Sequence, residues 1–438
     1  MVALHFGTNN IALHAAERYD ERLDADGHIT LLLAACRRDV ARLAAADTRL
    51  LANEGWRERF LDLAMRHGVL GLVLTGLQRQ RCFEGVSAEA SDRIRETLRG
   101  LRRRATILEL ERVHVVRILV RHGLDAVVLK GAGLASTVYR ESVERDFGDI
   151  DVLLPPHQID GAVEALGRHS YGYPGPKEAT EGYLAHHFHL RVQRPHGTVI
   201  ELHWGLTLPR EGFRLDAAAY QTQSVAALAN GAQMRVPRPE HALLHMVVEN
   251  VRDAFSRLTR LVDVDRIVAA APAMDWDNLE ITARASGLGP ALALVLELSR
   301  SVLGTEIPEE VRRHLRPPAA VRFHIALLRP APSLLWQRTL TRPSWGALMR
   351  LWLLTSRSRV KELAKMLRAD SDDPLDWLWT GGEATLDSGT SLGYRLSRLG
   401  KVVAYQLGLY VTGGNSSLAG GASKTHGRQR IGSQMDIW

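Results

Sequence analysis

The chain has 438 residues, 45% hydrophobic and 24% charged, with a net charge of +7. That balance is ordinary for a water-soluble globular protein of two or three domains. Two cysteines, Cys36 and Cys82, exclude a disulfide framework and a cysteine-based metal site, and no apolar run approaches the roughly 20 residues of a membrane span.

The positive charge favours an anionic partner such as a nucleotide, RNA or an acidic surface, without choosing among them. Arginine outnumbers lysine, which reads as codon bias of a GC-rich genome rather than as a nucleic-acid signal. The start of the chain lacks a basic segment followed by an apolar run, so no signal peptide is expected. A reduced cytoplasmic setting fits the two cysteines.

Residues 1–27 show no clean period and read as a flexible lead-in. Residues 28–122 read as an N-terminal helical region. Trp56, Phe60, Leu63 and Ala64 form one helix face, and His67-Gly68 stops that helix. Ser87 is placed to cap a long helix reaching about 122, with Ile94, Leu98, Leu108, Val115 and Leu119 along its apolar side. Its arginines have no aromatic residues between them for base stacking. They read as a solvated face paired with Glu96, Glu109 and Glu111.

The character changes in 123–205. Val127-Val128-Leu129 predicts a buried strand, Lys130-Gly131-Ala132-Gly133 a glycine turn, and 132–139 a short helix. Arg145 precedes a second strand, Asp149-Ile150-Asp151-Val152-Leu153-Leu154. On a strand Asp149 and Asp151 project to one face while Ile150 and Val152 enter the core. A bare Asp-x-Asp also fits a solvated strand end. Two like charges on one face repel unless a cation sits between them. Neutralising Asp151 is therefore expected to hold or slightly raise stability in metal-free buffer.

A short helix over 157–167 follows Pro155-Pro156, and 171–176 is a turn-rich loop that reads equally as a connector or a substrate loop. Segments 186–192 and 198–204 read as a hairpin turning at Arg194-Pro195-His196-Gly197. Glu201 and His203 share one face of its second strand. His187 and His189 share a face too, and the register that decides which is open. The histidines of 186–203 read as lining a polar cleft and contacting phosphate or substrate, with zinc as the lesser reading.

Residues 205–236 read as irregular apart from an amphipathic stretch near 216–228. The C-terminal helical region, 206–380, continues with helices opening at 237–240 and then over about 256–271, 276–286, 290–303 and 308–315. A basic amphipathic helix over 345–368 is expected to dock on this bundle. Residues 381–438 form a low-complexity, largely flexible tail.

Leu129-Lys130-Gly131, Arg145 ahead of Asp149-Ile150-Asp151-Val152-Leu153, and Ile200-Glu201-Leu202-His203-Trp204 together resemble the uncharacterised bacterial nucleotidyltransferase-like family of the polymerase-beta superfold. The likeness extends over about 50–270, where His245 and Asp263 also match. It implies an α+β fold: a polymerase-beta-like nucleotidyltransferase core, a mixed sheet with helices, flanked by N-terminal and C-terminal helical regions. It also implies that Asp149, Asp151 and Glu201 converge as metal-holding catalytic acids. Lys130, Gly131, Gly133, Arg145 and His203 would meet the phosphates. The implied cofactor is magnesium, two ions, and the implied partners are a nucleoside triphosphate and an acceptor that is a small molecule, peptide or RNA. Where the superfold usually has Gly-Ser or Gly-Gly at the turn this chain has Gly131-Ala132, and Lys130 is placed to substitute for the missing hydroxyl.

The reading is an enzyme that moves a nucleoside monophosphate from a triphosphate to an acceptor. The alternative is a non-catalytic nucleotide-binding or protein-interaction module on the same fold.

Overall fold

The computed structural model describes residues 27–38, 50–82, 86–172, 187–207, 213–252, 255 and 257–315. The expected lead-in, the helix over 345–368, the tail, most of the 171–176 loop and His186 lie outside the described residues.

The N-terminal region is helical, with α1 (His28–Cys36), α2 (Glu54–Arg66), α3 (Leu70–Arg79) and the long α4 (Ala88–Arg121). Local chemistry sets the boundaries. Asn53 accepts a hydrogen bond from the Trp56 N–H, and Ser87 accepts one from the Ala90 N–H, satisfying otherwise unpaired donors of the first turns of α2 and α4. Beyond α2, Gly68 takes a positive φ of 65°. Several α4 arginines pair with acids on a solvated face as expected, among them Arg99 with Glu96, whereas Arg112 pairs with Glu109 in the interior.

Strand β1 (Val127–Val128) leads into α5 (Lys130–Thr137), then β2 (Asp149–Leu153), α6 (Ile159–Gly167), β3 (His189–Gln193) and β4 (Val199–His203). The sheet does not end there. After α7 (Ala217–Thr222), β5 (Val225–Ala229) and β6 (Ala232–Val236) form a hairpin, and β6 pairs with β1 in parallel. This corrects the irregular reading of 205–236. The strands are rich in alanine and weak in β-branched residues, which hides them. Their turn, Asn230-Gly231, has φ values of 50° and 70°, the two positive φ angles of a type I′ hairpin, for which Asn-Gly is a strong signal.

The mixed six-stranded sheet has the order β3-β4-β2-β1-β6-β5. Alternation sorts side chains between two cores. Val128, Ile150, Val152, Ile200 and Leu202 pack toward α4 and α6 with Val115, Leu119 and Leu166. Val127, Leu129 and Leu153 point the other way, into a larger core shared with α1–α3, α8 (Pro239–Arg252), α9 (Leu258–Ala270), α10 (Trp276–Ala285) and α11 (Gly289–Leu303). The short α12 (Glu309–His314) follows. The α+β expectation, a mixed sheet flanked by helical regions, is borne out. No helix among the described residues is long and apolar enough to cross a membrane.

Candidate active site

Because Ile150, Val152, Ile200 and Leu202 face α4, period-two alternation sends Asp149, Asp151, Glu201 and His203 to the opposite face. Parallel pairing of β2 and β4 puts Asp151 directly beside Glu201. Antiparallel pairing of β3 and β4 puts His189 beside His203 and Arg191 beside Glu201. That register closes the question left by the sequence: His189 shares the face of the acids.

The groups form a connected network. His203 Nε2 lies 2.8 Å from Asp151 Oδ1 and 3.4 Å from Glu201 Oε2. Lys130 Nζ lies 3.2 Å from the same Asp151 oxygen and 3.8 Å from Glu249 Oε1 on α8. Arg191 Nε donates to Glu201 Oε1 at 2.9 Å, and His189 Nε2 stands 3.7 Å from that oxygen. Potential ligand atoms of His189, Glu201 and His203 all lie within 4.8 Å of one another. Lys130 has φ 37°, the left-handed region, which costs a non-glycine residue about 1–3 kcal/mol and is tolerated where surrounding contacts fix it.

The two aspartates differ sharply. Burial works to raise both. For Asp151, Lys130 and His203 outweigh it and hold the carboxyl well below the usual range. The Asp149 carboxylate makes no hydrogen bond or ion pair with any described residue. Burial, then repulsion from Asp151 and Glu201, push it up to about 6. Glu201 is lowered despite burial, chiefly by its contact with His203. His203 is raised despite burial by its bonds to the two acids, while burial and the charge of His203 lower His189 to about 3. Lys130 stays raised against burial because of Asp151, Glu249 and Glu201.

Arg145 departs from expectation. It is buried, and its Nε and Nη2 make a bidentate pair with Asp263 on α9 at 2.7 and 2.9 Å. Its remaining nitrogen donates to the Asp146 carbonyl. With each of its three nitrogens bonded inside the protein, Arg145 fastens the sheet segment to α9. The glycines also have local reasons. A Cβ on Gly131 would stand 2.7 Å from Phe147 Cβ, and one on Gly133 would stand 2.9 Å from the Val128 carbonyl oxygen. The close approach each permits is to the chain itself.

Sequence reading missed Glu249 and Arg191. Glu249 is buried, paired with Lys130, Arg252 and Arg260. Its signal was a polar stripe, His245, Glu249 and Arg252, at helical spacing along α8. Arg191 becomes visible only once the hairpin register is known.

The profile of a family described as "Uncharacterised nucleotidyltransferase" matches residues 53–304, more than half of the chain. No curated protein matches. Among solved structures, an antigenic nucleotidyltransferase-like protein from Paracoccidioides brasiliensis is 16% identical, with a TM-score of 0.30, covering 48% of this chain and 97% of that one. Overlap that low carries no argument about the site.

Proposed function

The chain belongs to the uncharacterised nucleotidyltransferase family, and from that membership we propose that it moves a nucleoside monophosphate from a nucleoside triphosphate onto a hydroxyl or other nucleophile. The observation that carries this reading is the Asp149 carboxylate, without a hydrogen-bond or ion-pair partner among the described residues, on the strand face it shares with Asp151, which itself stands beside Glu201. A half-buried acid whose proton affinity is raised by two neighbouring acids gains from a divalent cation. Carboxylate oxygens are the hard donors magnesium prefers, so Asp149, Asp151 and Glu201 are the groups that would hold it. Bound there, the metal would neutralise phosphate charge in the transition state.

The chain's own groups supply the rest. Lys130, fixed between Asp151 and Glu249, is a compact cation able to share itself with a phosphate oxygen. His203 orients Asp151 through Nε2. Glu201, kept ionised against burial chiefly by His203, is the carboxylate that would take the proton of an attacking hydroxyl. The acceptor class stays as wide as small molecule, peptide or RNA.

One observation favours the non-catalytic module: Lys130 and His203 already hold a single oxygen of Asp151. Incubation of the protein with labelled triphosphates, magnesium and a cell lysate separates the readings. Pyrophosphate release with a labelled product, lost in Asp149→Asn, supports transfer. Saturable triphosphate binding without pyrophosphate supports the module, and absence of both removes each.

A further inference from the structure

A cavity of about 210 Å³ lies beside the acid network, between α5, the β5–β6 hairpin, α8 and α9. Its walls are apolar, with Leu134, Val138, Val236, Ala242, Met246 and Ile267 among them. Three polar side chains reach it: Lys130, Thr137 and His245. Thr137 donates its hydroxyl hydrogen to the Gly133 carbonyl at 2.8 Å. Lys130 is shared with the acid network, so the cavity and the three acids meet at that one ammonium group.

His245 is the unexplained group. It is 2% exposed, yet its ring makes no hydrogen bond to any described residue. The nearest acid, Glu249, stands 4.0 Å from Nε2, and its ring neighbour Tyr220 presents an edge-to-face contact. Burial, then the charge of Lys130, lower His245 to about 3, so the ring is neutral, with one donor and one acceptor. A neutral ring that lines an apolar cavity can give or take a hydrogen bond with a polar atom of whatever fills it.

We propose that this cavity seats the uncharged, ring-sized apolar part of the acceptor, with His245 hydrogen-bonding a neutral polar atom of that group. The proposal rests on the transfer reading above. Size supports it, since a cavity of roughly 150 Å³ lined by apolar side chains accommodates benzene. The triphosphate is excluded because its several negative charges would face a single lining cation, Lys130, already paired with Asp151, and an otherwise apolar wall. A nucleobase fits poorly because its edge carries several polar atoms, and His245 is the single uncharged polar lining group not already committed. A cationic acceptor is disfavoured by Lys130.

The test uses benzyl alcohol as probe, with toluene, benzylamine and Mg–ATP as comparisons, followed by ligand-observed NMR on the full chain. The expected result is saturable binding of benzyl alcohol, weakened about tenfold or more in Ala242→Phe, which fills the cavity. Ala227→Phe, on the hairpin wall, serves the same purpose if Ala242→Phe fails to fold, and circular dichroism checks both. His245→Leu should erase the preference for benzyl alcohol over toluene, and benzylamine should bind more weakly than either in the wild type. Absence of saturable binding, binding unchanged in the filled variants, or displacement of benzyl alcohol by Mg–ATP would each overturn the proposal, the last by giving the cavity to the nucleotide. Mg–ATP binding is titrated separately, so failure of the nucleotide reading is seen independently of the cavity result.

Discussion

Lys130 Nζ sits 3.2 Å from Asp151 Oδ1, an ion pair in which both side chains are largely buried. It joins the first turn of α5 to β2 and reaches on to Glu249 of α8. Breaking a buried pair by removing one partner costs about 3–5 kcal/mol because the other charge is left behind. His203, Arg252 and Arg260 remain to hold the two acids, so Lys130→Met is expected at the low end, near 3 kcal/mol. Denaturant unfolding measures that loss. Titration of the folded variant with a non-hydrolysable triphosphate measures its other role, where unchanged affinity would remove Lys130 from the phosphates.

The two aspartates are expected to answer oppositely to the same substitution. Asp149 is raised to about 6 from an ordinary value of 3.8. Its favourable contribution is complete below the ordinary value and is lost as pH rises through about 6. Asp149→Asn should therefore melt higher than wild type at pH 7 without metal, and the gap should close toward pH 4. Adding magnesium should raise the melting temperature of the wild type alone. A variant less stable than wild type at pH 7 would show that Asp149 has a structural partner.

Asp151→Asn should instead destabilise the metal-free protein at pH 7, reversing the expectation drawn from repulsion between the two acids alone. Asp151 is lowered by Lys130 and His203, so its contribution is present above the ordinary carboxylate value and lost as pH falls through its depressed one. Thermal melts of the variant and wild type across pH 2–7 check this, with the difference shrinking at the acid end.

Arg145→Met should cost about 3–5 kcal/mol, because it leaves Asp263 buried without its bidentate partner. Tyr139, whose hydroxyl donates to Asp263 at 2.6 Å, offsets only part of that. Triphosphate affinity of the fraction that remains folded should be unchanged. A fall in affinity at unaltered stability would restore Arg145 to the phosphates.

Gly133→Ala should destabilise by about 1–3 kcal/mol, since its Cβ would meet a backbone oxygen that cannot move aside. Chemical denaturation measures it. If stability holds while triphosphate affinity falls, the glycine serves a ligand instead of the packing of α5 on β1.

By itself the sequence determined what local rules control. Alternation along Asp149–Leu153 put the two aspartates on one face, and Ser87 opened the long helix where its side chain could cap it. The alternation and turn of 186–204 identified β4, with Glu201 on it, before any pairing was known. Tertiary structure decided what pairing and packing control. Strand register, not strand identity, brought Asp151 beside Glu201 and turned His189 and Arg191 toward them. The β5–β6 hairpin escaped notice because its alanines carry little strand preference, and it is held by pairing to β1. The contrast between Asp149 and Asp151 came last, from Lys130 and His203 reaching one carboxylate and not the other. The chain has no local means of encoding that contrast, because Coulomb interactions follow distance in space and β2, α5 and β4 are adjacent only once the sheet has formed.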